Sequence, residues 1–179
     1  MSSRPSQTVA VVAGLAMSLI NFREHLLREL IANGYRVVAL APAEAAVAAR
    51  LASFGVEFVP IRLTRAGINP FADIRSLLEL VRVLKKIKAD IVFSYTIKPV
   101  IYGSLAARFL GIRAVVVLIT GLGYAFTGHV SWRRRLARSV ATRLYRVALR
   151  GARCVLFQNA DDAALFREVG IVTNTTNVV

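Results

Sequence analysis

Two polar turns carry most of the residues that could bind a ligand. The first, Tyr95–Lys98, ends the apolar run Ile91–Tyr95, and the second, Thr120–Tyr124, follows the β-branched run Ala114–Thr120. Because parallel strands place their ligands at their carboxyl ends, these turns predict a polar cleft at one edge of a sheet. Ordinary strand-to-helix turns also need glycine and polar residues, and for either turn alone that interpretation is equally good.

Three further residues are weaker candidates. Gly14 is the one glycine of the first loop, Gly14–Ser18, which lacks the GxGxxG pattern of a dinucleotide site and so disfavours NAD. It would let backbone N–H groups approach a phosphate, although a tight turn explains it as well. Lys98 precedes a helix-start proline and could pair with a phosphate, but most exposed lysines are simply solvated. His129 could assist a reaction, yet no nearby carboxylate would orient it.

The main charge feature is an arginine-rich segment near the C-terminal end of the sequence. Its eight arginines, with no acidic residue among them, are Arg133, Arg134, Arg135, Arg138, Arg143, Arg146, Arg150 and Arg153. An apolar stripe and Trp132 share the predicted helix, as in helices that lie on anionic membranes. The alternative is a docked helix with a solvated outer face. Nucleic acid is disfavoured, because aromatic and basic residues do not alternate.

The composition sets the broad class of protein. The 179 residues suffice for one domain with a core, and 56% of them are hydrophobic. Lys and Arg number 24 against 10 Asp and Glu, and the resulting charge of +14 favours anionic partners. The single cysteine, Cys154, excludes an internal disulfide, and the two histidines form no cluster typical of a metal site. The apolar stretch Val9–Ile20 is too short to span a bilayer.

Alternating strand and helix patterns would position these residues. The strands are expected at residues 8–13, 36–40, 57–61, 91–95, 114–119 and 153–157. This alternation predicts an α/β fold with a doubly wound parallel sheet, starting from the order 3-2-1-4-5.

Capping and proline signals predict where the helices begin. Asn21 would cap the first helix with Glu24 at the capping-box position, and Pro42 would begin a helix that runs to Phe54. Asn69-Pro70 and Asn159 are further start signals. Two apolar stripes are expected to face the core, one of Ile74, Leu77, Leu78, Val81 and Leu84 and one of Ile101, Leu105 and Phe109. Trp132 to Arg150 forms another predicted helix.

Several motifs resemble a known family. They are Ser18–Arg23, Ser94–Gly103, Thr120–Thr127, Leu144–Arg146 and Val155–Asp162. Together they resemble the N-terminal domain of bacterial family 4 glycosyltransferases, over nearly the whole chain up to Val172. The most similar subgroup adds N-acetylhexosamine to undecaprenyl-diphosphate-linked sugars in glycan, O-antigen or capsule assembly.

The resemblance implies a GT-B fold, in which two Rossmann-like domains face each other across a cleft. The N-terminal domain mainly holds the acceptor, and the C-terminal domain binds the nucleotide sugar and carries an acidic pair. The implied reaction retains anomeric configuration and needs neither a metal nor another cofactor, with a UDP-linked N-acetylhexosamine as the expected donor. The implied location is cytoplasmic, peripheral on the inner face of the cytoplasmic membrane.

The family's site residues can be carried onto this sequence. Gly14 would approach the donor diphosphate. The acceptor side would be lined by Ser18, Asn21, Tyr95, Thr96, Lys98, Thr120, Gly121, Gly123 and Tyr124. The membrane-facing residues would be Trp132, Arg134, Arg135, Arg138 and Arg146.

The expected domain organisation is a Rossmann-like domain over residues 1–172 and the start of an interdomain region at 173–179. Since the donor domain is expected to be absent, sugar transfer by this polypeptide alone is not expected. Two alternatives stay open. One is a non-catalytic subunit that recruits a separate donor chain to the membrane, and the other is a nucleotide-binding α/β protein unrelated to sugar transfer.

Overall fold

Six parallel strands form one sheet at the centre of the molecule. The structure, a computed structural model, describes residues 7–63, 69–121, 132–172 and 178, and for 132–137 it describes the backbone alone. The strands are β1 (Thr8–Val12), β2 (Arg36–Ala41), β3 (Glu57–Pro60), β4 (Ile91–Tyr95), β5 (Ala114–Ile119) and β6 (Cys154–Phe157). Their order is β3-β2-β1-β4-β5-β6, which confirms the predicted order and extends it by one strand. Val178 forms an isolated parallel bridge with Val155.

Helices cover both faces of the sheet. They are α1 (Met17–Ala32), α2 (Ala45–Ala52), α3 (Pro70–Ile87), α4 (Ile97–Phe109), α5 (Trp132–Leu149) and α6 (Ala160–Glu168). One core cluster joins the sheet to α1 and α2, through residues such as Leu27 and Leu51. The other joins the opposite face to α3, α4, α5 and α6, through Leu84, Tyr145 and Phe166. This is the doubly wound arrangement that the alternation predicts.

The start of α1 differs from the prediction. The helix begins at Met17 with Ala16 as its N-cap residue, so the expected cap at Asn21 is wrong. Ala16 already has helical backbone angles, with φ −60° and ψ −44°, and Leu19, in the first helical turn, is fully buried. Glu24 binds Arg28 and Arg50 instead of serving a capping box.

The second helix and two apolar stripes also differ from the prediction. Glu44 keeps an extended backbone, so α2 begins at Ala45, three residues after Pro42, and it ends at Ala52. Ile74 and Leu78 of α3 and Phe109 of α4 are exposed. Their stripes are wider than the surface that each helix buries, since the sheet covers only one side of a helix.

Two asparagine start signals are confirmed. The Asn69 side chain accepts a hydrogen bond from the Ala72 N–H at 3.2 Å, and Pro70 occupies the first turn of α3. The Asn159 side chain accepts one from the Asp162 N–H at 2.8 Å. Each bond satisfies a helix N–H group that has no partner within the helix, which is why asparagine marks these starts.

Candidate functional site

The carboxyl ends of β1 and β4 lie side by side and bring two predicted loops together. A Cβ atom placed on Gly14 would lie 3.2 Å from Thr96 Oγ1 and 3.5 Å from Pro99 Cγ. The loop after β1 therefore packs directly against the start of α4, and glycine leaves room for that contact. Strand order reverses at this point of the sheet, where ligands of open α/β folds bind.

The two helices that start at this edge begin without a side-chain cap. Neither α1 nor α4 has a side-chain cap hydrogen bond or an acidic residue in its first turn. Helix N-termini carry partial positive charge and bind anions. Since α1 follows β1 and α4 follows the adjacent strand β4, their two N-termini together suit a phosphate or diphosphate group.

Thr96 has a strained backbone at the centre of this edge. Its φ is 68° and its ψ 159°, a conformation that residues with a Cβ rarely adopt. Strain of this kind costs about 1–3 kcal/mol and persists only where the surrounding structure holds it. Thr96 is exposed, and Thr120 and Gly121 lie half-buried after the neighbouring strand β5. Thr120 and Gly121, the described part of the Thr120–Tyr124 turn, therefore follow β5, which pairs with the strand β4 that precedes Thr96.

Ser18 and Tyr95 lie beneath the edge. Their side-chain oxygens are 2.8 Å apart in a hydrogen bond that joins α1 to β4, and both residues are buried. Burial raises the pKa of the Tyr95 hydroxyl, so it stays neutral under ordinary conditions. This pair holds α1 against β4, and its role in acceptor binding stays a prediction.

Arg23 is a cation at this edge that the sequence analysis did not single out. Its guanidinium carbon lies 4.8 Å from the centre of the Tyr95 ring. Within the part of the chain that the structure describes, Arg23 forms no salt bridge and its buried Nε has no hydrogen-bond partner. The signal available in the sequence was its place at the end of the Ser18–Arg23 motif.

Lys98 has a partner that the sequence analysis also missed. Its Nζ donates to Asp73 Oδ1 at 2.7 Å, and both side chains are only 13% exposed. Asp73 also acts on Tyr102. Burial raises the pKa of the Tyr102 hydroxyl, and the charge and hydrogen bond of Asp73 raise this pKa further. The Lys98 charge is therefore balanced by Asp73, and the contact ties α3 to α4 beside the edge.

The other predicted site residues are dispersed. Asn21 and Arg138 are exposed on α1 and α5, and Arg146 donates to the Val169 and Gly170 carbonyls at 2.8 Å each, which gives it a structural partner. Gly123, Tyr124 and His129 lie outside the described residues, as do the side chains of Trp132, Arg134 and Arg135. The roles assigned to all of these residues stay predictions.

The described residues contain neither a metal-binding cluster nor a membrane-spanning helix. No group of three His, Cys, Asp or Glu side chains there could hold a metal ion. None of the helices there is both long and apolar enough to cross a membrane.

Comparison with known proteins gives a match over most of the chain. Residues 21–179 match the family described as glycosyl transferase 4-like domain. The N,N'-diacetylbacillosaminyl-diphospho-undecaprenol alpha-1,3-N-acetylgalactosaminyltransferase of Campylobacter jejuni is 26% identical over 162 residues, 90% of this chain and 43% of that protein. The UDP-Gal:alpha-D-GlcNAc-diphosphoundecaprenol alpha-1,3-galactosyltransferase of Escherichia coli is 35% identical over 84 residues, 44% of this chain and 22% of that protein. The chain thus spans less than half the length of either relative.

Solved structures share the fold. MurG of Acinetobacter baumannii superposes with a TM-score of 0.60 at 19% identity, over 98% of this chain and 44% of that one. A glycosyltransferase of Rickettsia africae superposes with a TM-score of 0.65 at 16% identity, over 98% of this chain and 43% of that one. A UDP-N-acetylglucosamine 2-epimerase superposes with a TM-score of 0.64 at 18% identity, over 97% of this chain and 47% of that one. The sheet therefore has the Rossmann-like α/β fold of GT-B proteins, which by itself does not decide the reaction.

Proposed function

Since the chain belongs to the glycosyl transferase 4-like family, we propose that it is the acceptor-binding domain of an enzyme that transfers a sugar from a nucleotide sugar to a lipid-linked sugar. The family match over residues 21–179 carries this proposal. It is supported by two relatives whose names specify diphospho-undecaprenol acceptors, and one of these names specifies UDP-Gal as donor. A UDP-linked hexose or N-acetylhexosamine is the proposed donor, as a substrate and with no further cofactor. The proposed pathway is cell-surface polysaccharide or glycan assembly.

The geometry of the edge suggests how each substrate would be held. We place the donor diphosphate at Gly14, where the absence of a side chain lets it approach the positive end of the α1 dipole. The acceptor would lie along Thr96 and the end of β5. Arg23 would supply a full positive charge to one diphosphate, since charge-assisted hydrogen bonds are stronger than neutral ones. These groups bind and orient the substrates.

The proposed acceptor also suggests where the protein works. A polyprenyl-linked sugar resides in a membrane, so we place the protein at the inner face of the cytoplasmic membrane, bound at its surface. This proposed location is supported by the names of the two relatives, both of which specify a diphospho-undecaprenol acceptor.

Acceptor binding is the first test. The probe is a short-chain polyprenyl-diphosphate N-acetylglucosamine in detergent, with the dissociation constant measured by calorimetry. We expect Arg23→Gln to weaken binding about tenfold or more, because a hydrogen bond to a charged group contributes about 1.5–3 kcal/mol. The matched control is Arg113→Gln, which removes an exposed arginine just before β5, at the opposite edge of the sheet. Equal losses in both variants would show general charge attraction, and undetectable binding by the unmodified chain would contradict the proposal.

Sugar transfer is the second test. The assay follows a radiolabelled sugar from a UDP-sugar to the same lipid acceptor. We expect the 179-residue chain to bind the acceptor without transferring sugar, and transfer to appear when a matching donor domain is supplied. Robust turnover by these residues alone would contradict the assignment of acceptor binding to one domain and donor binding to another.

A further inference from the structure

A surface cavity lies at the amino ends of the strands, on the opposite edge of the sheet from Gly14 and Thr96. Helices α4 and α5 both end there, because each connects the carboxyl end of one parallel strand to the amino end of the next. The cavity is lined by the second half of α4, by residues 111–113 and by residues 150–152. Its volume of about 580 Å³ lies within the range of roughly 300–1,000 Å³ that is typical of small-molecule sites.

Three arginines line this cavity, and no acidic residue does so within the part of the chain that the structure describes. Arg108, Arg113 and Arg150 are all exposed, and none of them forms a salt bridge with a described residue. Arg108 Nη1 donates to the Val147 carbonyl at 3.5 Å, a length at which a hydrogen bond is weak. Most of the N–H donors of these arginines are therefore available to an anion.

The dipoles of α4 and α5 account for only part of this positive charge. Arginines are common at the C-terminal ends of helices, where they offset the negative end of the dipole. Each helix C-terminus carries roughly half a negative elementary charge, so the two ends together offset about one positive charge. Since three arginines line the cavity, an excess of about two positive charges is left. That excess matches the charge of a phosphate monoester near neutral pH.

The buried wall of the cavity combines a hydroxyl with apolar side chains. Ser104 of α4 is 2% exposed, and its Oγ has no hydrogen-bond partner within the described residues. Buried polar groups normally have such a partner, so this hydroxyl is available to a ligand that reaches it. Ile112, Val115 and Ala148 supply the apolar lining. We name the site the arginine cavity and define it by Ser104, Arg108, Ile112, Arg113, Ala148 and Arg150.

We propose that the arginine cavity binds a small phosphate monoester. The guanidinium groups would bind the phosphate oxygens, because their planar N–H pairs match that geometry, and the organic part would lie on the apolar wall. A concave site of this volume favours a small ligand over a membrane or a nucleic acid, which cover a wider surface. The six residues of β5 separate Arg113 from Thr120 by roughly 20 Å, so this ligand would be distinct from the proposed substrates.

Calorimetry of the full chain with adenosine monophosphate tests the arginine cavity. We expect saturable binding at low salt, tighter than that of inorganic phosphate, because only the nucleotide reaches the apolar wall. Arg108→Gln combined with Arg150→Gln should weaken binding about tenfold or more, since two charged donors are lost. The matched control is Arg143→Gln combined with Arg167→Gln, which removes two exposed arginines outside the cavity. Equal losses in both double variants, or no binding of either probe, would overturn the inference.

Amide resonances locate the nucleotide on the chain. Those of Gly111 and Gly151, which line the cavity, should shift when adenosine monophosphate is added, whereas those of Gly14 and Gly121 should not. Shifts confined to Gly14 and Gly121 would place the nucleotide at the proposed substrate loops and overturn the inference.

Competition separates a small ligand from an anionic surface. Vesicles that contain phosphatidylglycerol should leave the binding of adenosine monophosphate unchanged, and displacement by these vesicles would identify a lipid surface as the occupant instead. If the nucleotide binds as expected while the polyprenyl acceptor does not bind, the proposed function fails and the arginine cavity stands.

Discussion

Helices α3 and α5 lie on the same face of the sheet, and each is tied to a neighbouring helix in a different way. Asp73 of α3 binds Lys98 of α4 through a largely buried ion pair. Arg146 of α5 donates to two carbonyls at the end of α6, and Tyr145 beside it packs edge-on against Phe166. The contact between α3 and α4 adds a charge pair to apolar packing, and the contact between α5 and α6 combines ring packing with hydrogen bonds to the last carbonyls.

The outward sides of the two helices differ as well. Along α3 large apolar side chains alternate with cations, whereas the described side chains of α5 expose mainly polar and basic groups, with Val147 at 46%. Although α5 has more arginines, Arg146 is engaged with α6. Tertiary contacts therefore decide which of the described cations and apolar groups are available to a partner, and a count of basic residues does not.

The contact between α5 and α6 should give the largest effect on stability. Phe166 is fully buried, and its ring centre is 5.2 Å from that of Tyr145 and 5.3 Å from that of Phe157. Phe166→Ala should lower the free energy of unfolding by about 3–5 kcal/mol, measured by urea denaturation, because it opens a cavity between α5, α6 and β6. Phe109→Ala, at an exposed ring, should stay within about 0.5 kcal/mol. A loss below about 1 kcal/mol for Phe166→Ala would show that α5 is held some other way.

The ion pair of α3 should give an intermediate effect. Asp73→Asn leaves the largely buried Lys98 ammonium without its carboxylate, and we expect a loss of about 1–3 kcal/mol. A double-mutant cycle with Lys98→Met, also by urea denaturation, measures the coupling between the two side chains. Additive losses would mean that this pair does not hold α3 to α4.

The cap that Arg146 provides should give a smaller and more local effect. Arg146→Gln removes two hydrogen bonds of 2.8 Å to the Val169 and Gly170 carbonyls. Because the site is exposed, we expect a loss of about 1 kcal/mol, with faster amide hydrogen exchange at Ile171 and Val172. Arg143→Gln, at an exposed position of the same helix, is the control and should change neither measurement.

An exposed ion pair at the other end of the sheet gives a reference for Asp73 and Lys98. Arg36 Nε lies 2.7 Å from Glu57 Oε1, and the hydrogen bond from Arg36 holds the pKa of Glu57 below its ordinary value of 4.5. The stabilisation is therefore present above pH 4.5 and is lost as the pH falls through the lowered pKa. Since solvent screens this pair, Glu57→Gln should cost only about 0.2–1 kcal/mol at pH 7. Urea denaturation measures the free energies of unfolding of the unmodified chain and of Glu57→Gln, and we expect the difference between them to vanish at acidic pH. A difference that persists there would indicate that side-chain packing, not the ion pair, causes it.

Local signals in the sequence determined much of the fold. The strands could be predicted because buried parallel strands are short apolar runs, and strand order followed from the alternation of strands and helices. Asn69 and Asn159 could be identified as helix starts because a cap acts within three residues of itself. Thr96 and Thr120 were predicted to share an edge, since both follow parallel strands, and β4 and β5 are neighbours in the sheet.

Tertiary structure decided which groups meet and which are exposed. Asp73 and Lys98 are 25 residues apart, and Arg23 reaches Tyr95 from another helix, so no local pattern pairs them. The apolar residues of α3 showed that the helix is amphipathic, but only its packing on the sheet left Phe71 outward. Caps and strand runs depend on neighbours in sequence, whereas ion pairs and exposed faces depend on how helices pack over a sheet, and that packing is set by the whole core.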